Sequence, residues 1–170
     1  ITTAAVISRK QFLYGYMEIK CKAADASITS SFWATGHRSE LDVFEFVGSP
    51  AQGQKKHLER EYMFTIIDWS KRQLSRVWRG THQLPWRVAD GFHVYGCEWN
   101  EDCLRFYADG QMVGGVTKAE LGPRWVLTNP LWIWVDSETF PWHGLPQKED
   151  LPVDFEIEYI RVWQQKRSDE

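Results

Sequence analysis

Residues 92–116 read FHVYGCEWNEDCLRFYADGQMVGGV. Phe92–Trp99 and Cys103–Ala108 are two strand-like runs around the turn Asn100-Glu101-Asp102, and Asp109-Gly110 turns the chain again before Gln111–Val116. Turn residues between apolar, aromatic-rich runs predict an antiparallel meander. The same signal recurs outward. In Tyr16–Lys22, Met17, Ile19 and Cys21 alternate with Glu18, Lys20 and Lys22, the period of two of a half-buried strand. Val6–Lys22 therefore reads as two strands around Tyr14-Gly15. Strands are also predicted over Thr29–Thr35, Glu40–Val47, Tyr62–Trp69, Pro130–Val135 and Phe155–Trp163. Residues 51–61 are polar and read as a crossing loop, where a short helix would fit. Residues 141–152, with Pro141, Gly144, Pro146 and Pro152, read as an ordered loop. Gln164–Glu170 reads as a frayed polar tail. Many short strands with almost no helical period predict an all-β antiparallel sandwich or jelly roll.

The 170 residues fit one domain. Lys and Arg number 20 against 23 Asp and Glu, too balanced for an electrostatic nucleic-acid binder. No apolar run approaches the roughly 20 residues that span a bilayer, and no signal peptide is visible at Ile1-Thr2-Thr3. Ten Trp, six Tyr and nine Phe make 15% aromatics, suited to a β core, with some tryptophans available as sugar-stacking platforms. Cys21, Cys97 and Cys103 do not form a disulfide framework. A two-residue loop at 100–101 would pair Cys97 with Leu104, so all three read as free thiols.

The chemistry concentrates in Glu40-Leu41-Asp42-Val43-Phe44-Glu45. On a regular strand Glu40 and Asp42 share a face and Glu45 points away. One bulged residue near Val43-Phe44 returns Glu45 to the first two. Three close carboxylates cannot all stay ionised at neutral pH, so at least one pKa must rise, as an acid/base pair requires. Backbones roughly 13 Å apart, at about 3.3 Å per residue, still let two Glu side chains close to the roughly 5–5.5 Å of a retaining glycosidase. The plain alternative is a row of acids on a solvated face. Against it, Leu41, Val43, Phe44, Phe46 and Val47 make the strand apolar and central, where idle carboxylates are costly. Trp33 lies just upstream, in a strand expected to run parallel and wall the same cleft.

Ser39–Glu45 resembles the bulged active-site signature of glycoside hydrolase family 16. Phe12-x-Tyr14-Gly15-Tyr16-x-Glu18, Ser30-Ser31-Phe32-Trp33, Phe92–Trp99, Arg105-Phe106-Tyr107-x-Asp109-Gly110 and Tyr159–Trp163 resemble the family's flanking segments in order. The resemblance covers 1–165, with 166–170 left as tail. It implies a concanavalin A-like β-jelly-roll sandwich with a concave cleft and retaining hydrolysis of a β-linked polysaccharide. It implies Glu40 as nucleophile, Glu45 as acid/base and Asp42 as the residue tuning both. It also implies a secreted, periplasmic or cell-surface location, a monomer, and no cofactor beyond a structural calcium. The family carries several strands ahead of Ile1, so the chain reads as a jelly roll lacking its N-terminal strands, with open sheet edges.

Leu131–Glu138 reads LWIWVDSE rather than the Ala-Val-Gly-Gly type of laminarinase-like members. It is more similar to the red-algal galactan branch of agarases, porphyranases and carrageenases. There, Glu138 resembles a sugar-contacting residue and Trp33 a stacking tryptophan. Arg38, two residues before Glu40, is a candidate to grip a sulfate, or else a partner for the acids. Trp142 and His143 are candidates for the cleft rim, and His37 is a weaker one. His57, with Lys55 and Lys56, is expected on a solvated face. Asp136 and Glu138 do not assemble the 6–8 oxygens calcium takes. A sugar binder without catalysis, a β-glucanase and a transglycosylase are the competing readings.

Overall fold

The computed structural model describes residues 1–70 and 75–165. The polar tail at 166–170 lies outside the described residues, which form two antiparallel sheets. One has the order β1 (Ala5–Phe12), β10 (Leu131–Asp136), β3 (Thr29–Gly36), β4 (Ser39–Val47), β5 (Glu61–Asp68) and β6 (Ser75–Gln83). The other has the order β11 (Glu156–Trp163), β2 (Gly15–Lys22), β7 (His93–Trp99), β8 (Cys103–Ala108) and β9 (Gln111–Thr117). The alternation rule holds: Met17, Ile19 and Cys21 are buried, while Glu18, Lys20 and Lys22 are half-buried on the outer face.

The two layers meet over an aromatic core. Phe44 and Phe46 stack at 4.1 Å, and Tyr62 and Tyr95 close on them edge-on. Phe64 of one sheet stacks on Phe106 of the other at 4.1 Å. That approach needs glycine at 114, where a Cβ would stand 2.4 Å from the Phe64 ring. Each fully buried side chain of this size contributes about 1.5–3 kcal/mol.

β1 and β2 flank Tyr14-Gly15 as expected, and the chain crosses there from one sheet to the other. Several expectations need correction. β3 runs antiparallel to β4, not parallel. The β7–β8 register is Trp99 to Leu104 and Cys97 to Phe106, because the Asn100 side chain accepts from the backbones of Asp102 and Cys103 and widens the turn. All three cysteines are free, as expected, and buried. β6 was not predicted, nor was the four-residue helix α1 (Lys118–Leu121), which is closed by a Thr117–Glu120 capping box. Residues Gly53–Arg60 form a 3₁₀ helix, and the loop after β10 contains short 3₁₀ turns at Pro141–His143 and Lys148–Asp150. The β1/β11 side of the sandwich is open. Val6, Ile157 and Ile160 lie opposite the buried Val135, Cys21 and Ile19, yet are 67%, 39% and 38% exposed.

Candidate active site

The site is laid out by cross-strand register. β3 and β4 pair Phe32 with Phe44 and then Trp33 with Asp42, which leaves Val43 as the bulged residue. Beyond the bulge Glu45 returns to the face of Glu40 and Asp42, and all three line one cleft of about 690 Å³. Residues paired directly across antiparallel strands share a face. One row runs Trp134, Trp33, Asp42, Thr65, Arg79 from β10 to β6. The next runs Trp132, Thr35, Glu40, Ile67, Arg76. A third brings Asp136 and Ser31 alongside Glu45. Arg76 and Arg79 can share a face because β6 slips by one residue at Val77. A bulge on each of β4 and β6 thus lays acids and cations across one concave surface.

The acids differ in environment. Asp42 is 6% exposed. Burial first, then the charges of Glu45 and Glu40, hold its pKa well above the carboxylate range. Asp42 is therefore the member that keeps its proton, and it donates to Glu40. Burial raises Glu40 as well, but hydrogen bonds from Trp69 and Asp42 pull it back down. The Trp69 indole N–H donates to Glu40 Oε2 at 2.9 Å. Burial and, next, the charge of Glu40 push Glu45 up to about 6. A near-neutral acid thus stands beside a carboxylate supplied with donors, the division of labour that acid/base chemistry needs.

The walls are aromatic and cationic. The Trp33 indole N–H donates to Asp136 Oδ2 at 3.0 Å and its ring lies 5.1 Å from that of Trp134. Glu138 is pinned by its backbone N–H to Thr29 Oγ1 at 2.9 Å. Phe140 and Trp142 stack at 4.4 Å, with Trp142 57% exposed at the rim and held from below by Lys55, which donates to its carbonyl. His143 lines the cleft too, its pKa lowered by burial and by Lys55.

Glu40, Asp42, Glu45, Trp33, Glu138, Trp142 and His143 thus come together in one cleft. Arg38 does not join them. It occupies the β3–β4 turn with His37, both exposed and both with left-handed φ, and it stands outside the cleft lining. Counting back two residues from Glu40 assumed a continuous strand, whereas the strand begins at Ser39. His57 and Lys56 are exposed, as expected, and Lys55 and His57 also line the cleft. Sequence reasoning missed Trp69, Arg76, Arg79 and Phe140, all in the lining. The arginines stand three apart, the spacing that betrays a bulge, as it does between Asp42 and Glu45. Among the described residues no three acidic, histidine or cysteine side chains form a group that could hold a metal ion.

Residues 1–165 match the family model described as the GH16 domain of β-porphyranases A–D. The chain belongs to the GH16 family. β-Agarase A of Zobellia galactanivorans is 30% identical over 167 residues, covering 87% of this chain and 30% of that protein. β-Porphyranase E of the same organism is 27% identical over 158 residues, covering 85% of this chain and 57% of its own length. The chain therefore spans less than two thirds of either relative. The crystal structure of β-agarase A with oligoagarose superposes with a TM-score of 0.80 at 24% identity, over 93% of this chain and 65% of that one. The laminarinase catalytic domain of Thermotoga maritima superposes at 0.75 and 23% identity, over 97% of this chain and 69% of that one. These GH16 neighbours share the predicted jelly roll.

Proposed function

We propose that this chain is a retaining, endo-acting hydrolase of β-linked red-algal galactans, sulfated ones such as porphyran above all. The observation that carries the reading is the Val43 bulge, which turns Glu40, Asp42 and Glu45 onto one cleft wall and leaves them with unlike proton affinities.

Glu40, ionised, attacks the anomeric carbon. Glu45 gives its proton to the departing glycosidic oxygen, so one C–O bond forms as the other breaks. Glu45, now a carboxylate, takes a proton from water, whose oxygen attacks the same carbon and releases Glu40. Asp42 keeps its proton throughout and supports the charge on Glu40. Trp33, Phe140 and Trp142 offer flat faces to sugar rings, and Glu138 offers an acceptor to hydroxyls. Sulfated substrates are favoured by Arg76 and Arg79, whose guanidiniums enter no ion pair among the described residues. A polysaccharide does not cross membranes, so this work belongs outside the cytoplasm, carried out by a monomer.

The test is a reducing-end assay of the purified chain on agarose, porphyran, carrageenans, furcellaran, laminarin and lichenan. Release from a red-algal galactan, porphyran foremost, is expected. Release from laminarin or lichenan alone would make the chain a β-glucanase. Binding without release from any polymer would make it a sugar-binding relative.

A further inference from the structure

Glu40 is held from outside its own strand. The chain leaves β5 at Asp68, opposite Ser39 at the start of β4. The next backbone N–H, that of Trp69, donates to the Arg38 carbonyl at 2.8 Å. Arg38 lies in the turn where it and His37 take φ of 64° and 48°. Beyond it, the Ser70 N–H donates to Asp68 Oδ1 at 2.8 Å and turns the chain again. Trp69 is thereby clamped to the turn that launches the Glu40 strand. Its ring stays 42% exposed in the cleft wall, while its N–H reaches Glu40 Oε2 at 2.9 Å. An indole N–H only donates: it does not titrate in this range and cannot take up a proton from the carboxylate.

We propose that Trp69 is a positioning residue for Glu40, its indole N–H fixing Oε2 so that the other oxygen faces the sugar and the carboxylate stays ionised. The proposal rests on the reading of Glu40 as nucleophile. Burial works against an ionised Glu40, and Trp69 and Asp42 are the donors that oppose it. Unlike Asp42, Trp69 is not itself an acid, so its support does not fade as the pH rises. A hydrogen bond to a charged group changes an equilibrium by roughly tenfold or more.

The experiment is Trp69→Phe in the full 170-residue chain, which keeps a ring in the wall and removes the donor. The ¹³C NMR titration of the glutamate carboxyls, assigned with Glu40→Gln, reads the bond without any substrate. Glu40 is expected to titrate about one pH unit higher in the variant. The acid limb of kcat/KM should rise by the same interval, with a loss of about tenfold on the acid side of the optimum. An unchanged Glu40 titration overturns the proposal. So does a loss confined to KM with the acid limb unmoved, since a mere wall residue would behave that way. A parent chain that cleaves nothing would defeat the functional reading and leave the titration to decide the contact.

Discussion

Replacing Glu45 by Gln removes a charge that its surroundings resist. Burial, with the charges of Glu40, Glu138 and Asp136 behind it, pushes the carboxyl from the ordinary 4.5 up to about 6. The gap of about 1.5, at about 1.4 kcal/mol per pH unit, comes to about 2 kcal/mol. Because the folded pKa lies above the unfolded one, the carboxyl's contribution is fully present below about pH 4.5. As pH rises through about 6 it is lost, since the unfolded chain releases the proton more readily than the folded one. Gln imitates the protonated side chain at every pH. Glu45→Gln should therefore match the parent at pH 4 and exceed it by about 2 kcal/mol at pH 8. For a chain of this length that is about 4–8 °C in Tm. Thermal and urea unfolding followed by near-UV circular dichroism at both pH values measures it. An equal gain at pH 4 and pH 8, or a loss at pH 8, would refute the account of why this carboxyl holds its proton. The same variant should also lose hydrolysis of natural galactans, because Gln has no proton to give the leaving oxygen.

Glu40→Gln should abolish turnover and leave the fold intact, checked by reducing-end release and a thermal melt; near-parental activity on every galactan would remove Glu40 from its role. In the parent, the basic limb of kcat/KM should fall near pH 6, where Glu45 loses its proton; a limb above pH 8 would give the acid role to another group. Arg76→Ala combined with Arg79→Ala should reduce kcat/KM on porphyran at least tenfold more than on neutral agarose, since a charge-assisted bond to an anion is worth about 1.5–3 kcal/mol; equal losses on both polymers would deny the pair a sulfate role. Gly114→Ala should cost about 1–3 kcal/mol in urea unfolding, because the new methyl meets a Phe64 ring already stacked on Phe106; a cost below about 0.5 kcal/mol would mean that the ring yields freely.

The fold was legible because its strands are half-buried, so that Met17, Ile19 and Cys21 carry the period of two in plain view. Sheet membership was not. Nothing local says that the chain crosses between layers at Tyr14-Gly15, since that depends on which edge each strand finds. β6 escaped notice because it is an edge strand whose cleft-facing positions are arginines, so its pattern is polar on the side where a core strand is apolar. Trp69 escaped because its indole meets Glu40 only once β5 has paired with β4. Arg38 was misplaced for the converse reason: strand spacing was applied to a residue that belongs to a turn.

The carboxylates themselves were legible through a conflict. Glu40 and Asp42 obey alternation, Glu45 breaks it, and the apolar residues between them forbid a solvated strand. A single bulge resolves that conflict. The same logic applied to Arg76 and Arg79 identifies the second bulge, at Val77. Both slips are needed. With regular β4 geometry Glu45 would be driven into the core while Phe44 and Phe46 turned out to the cleft; with regular β6 geometry Arg79 would point toward Phe64. Each bulge thus keeps a charge out of an interior that could not hold it, and in doing so delivers that charge to the cleft.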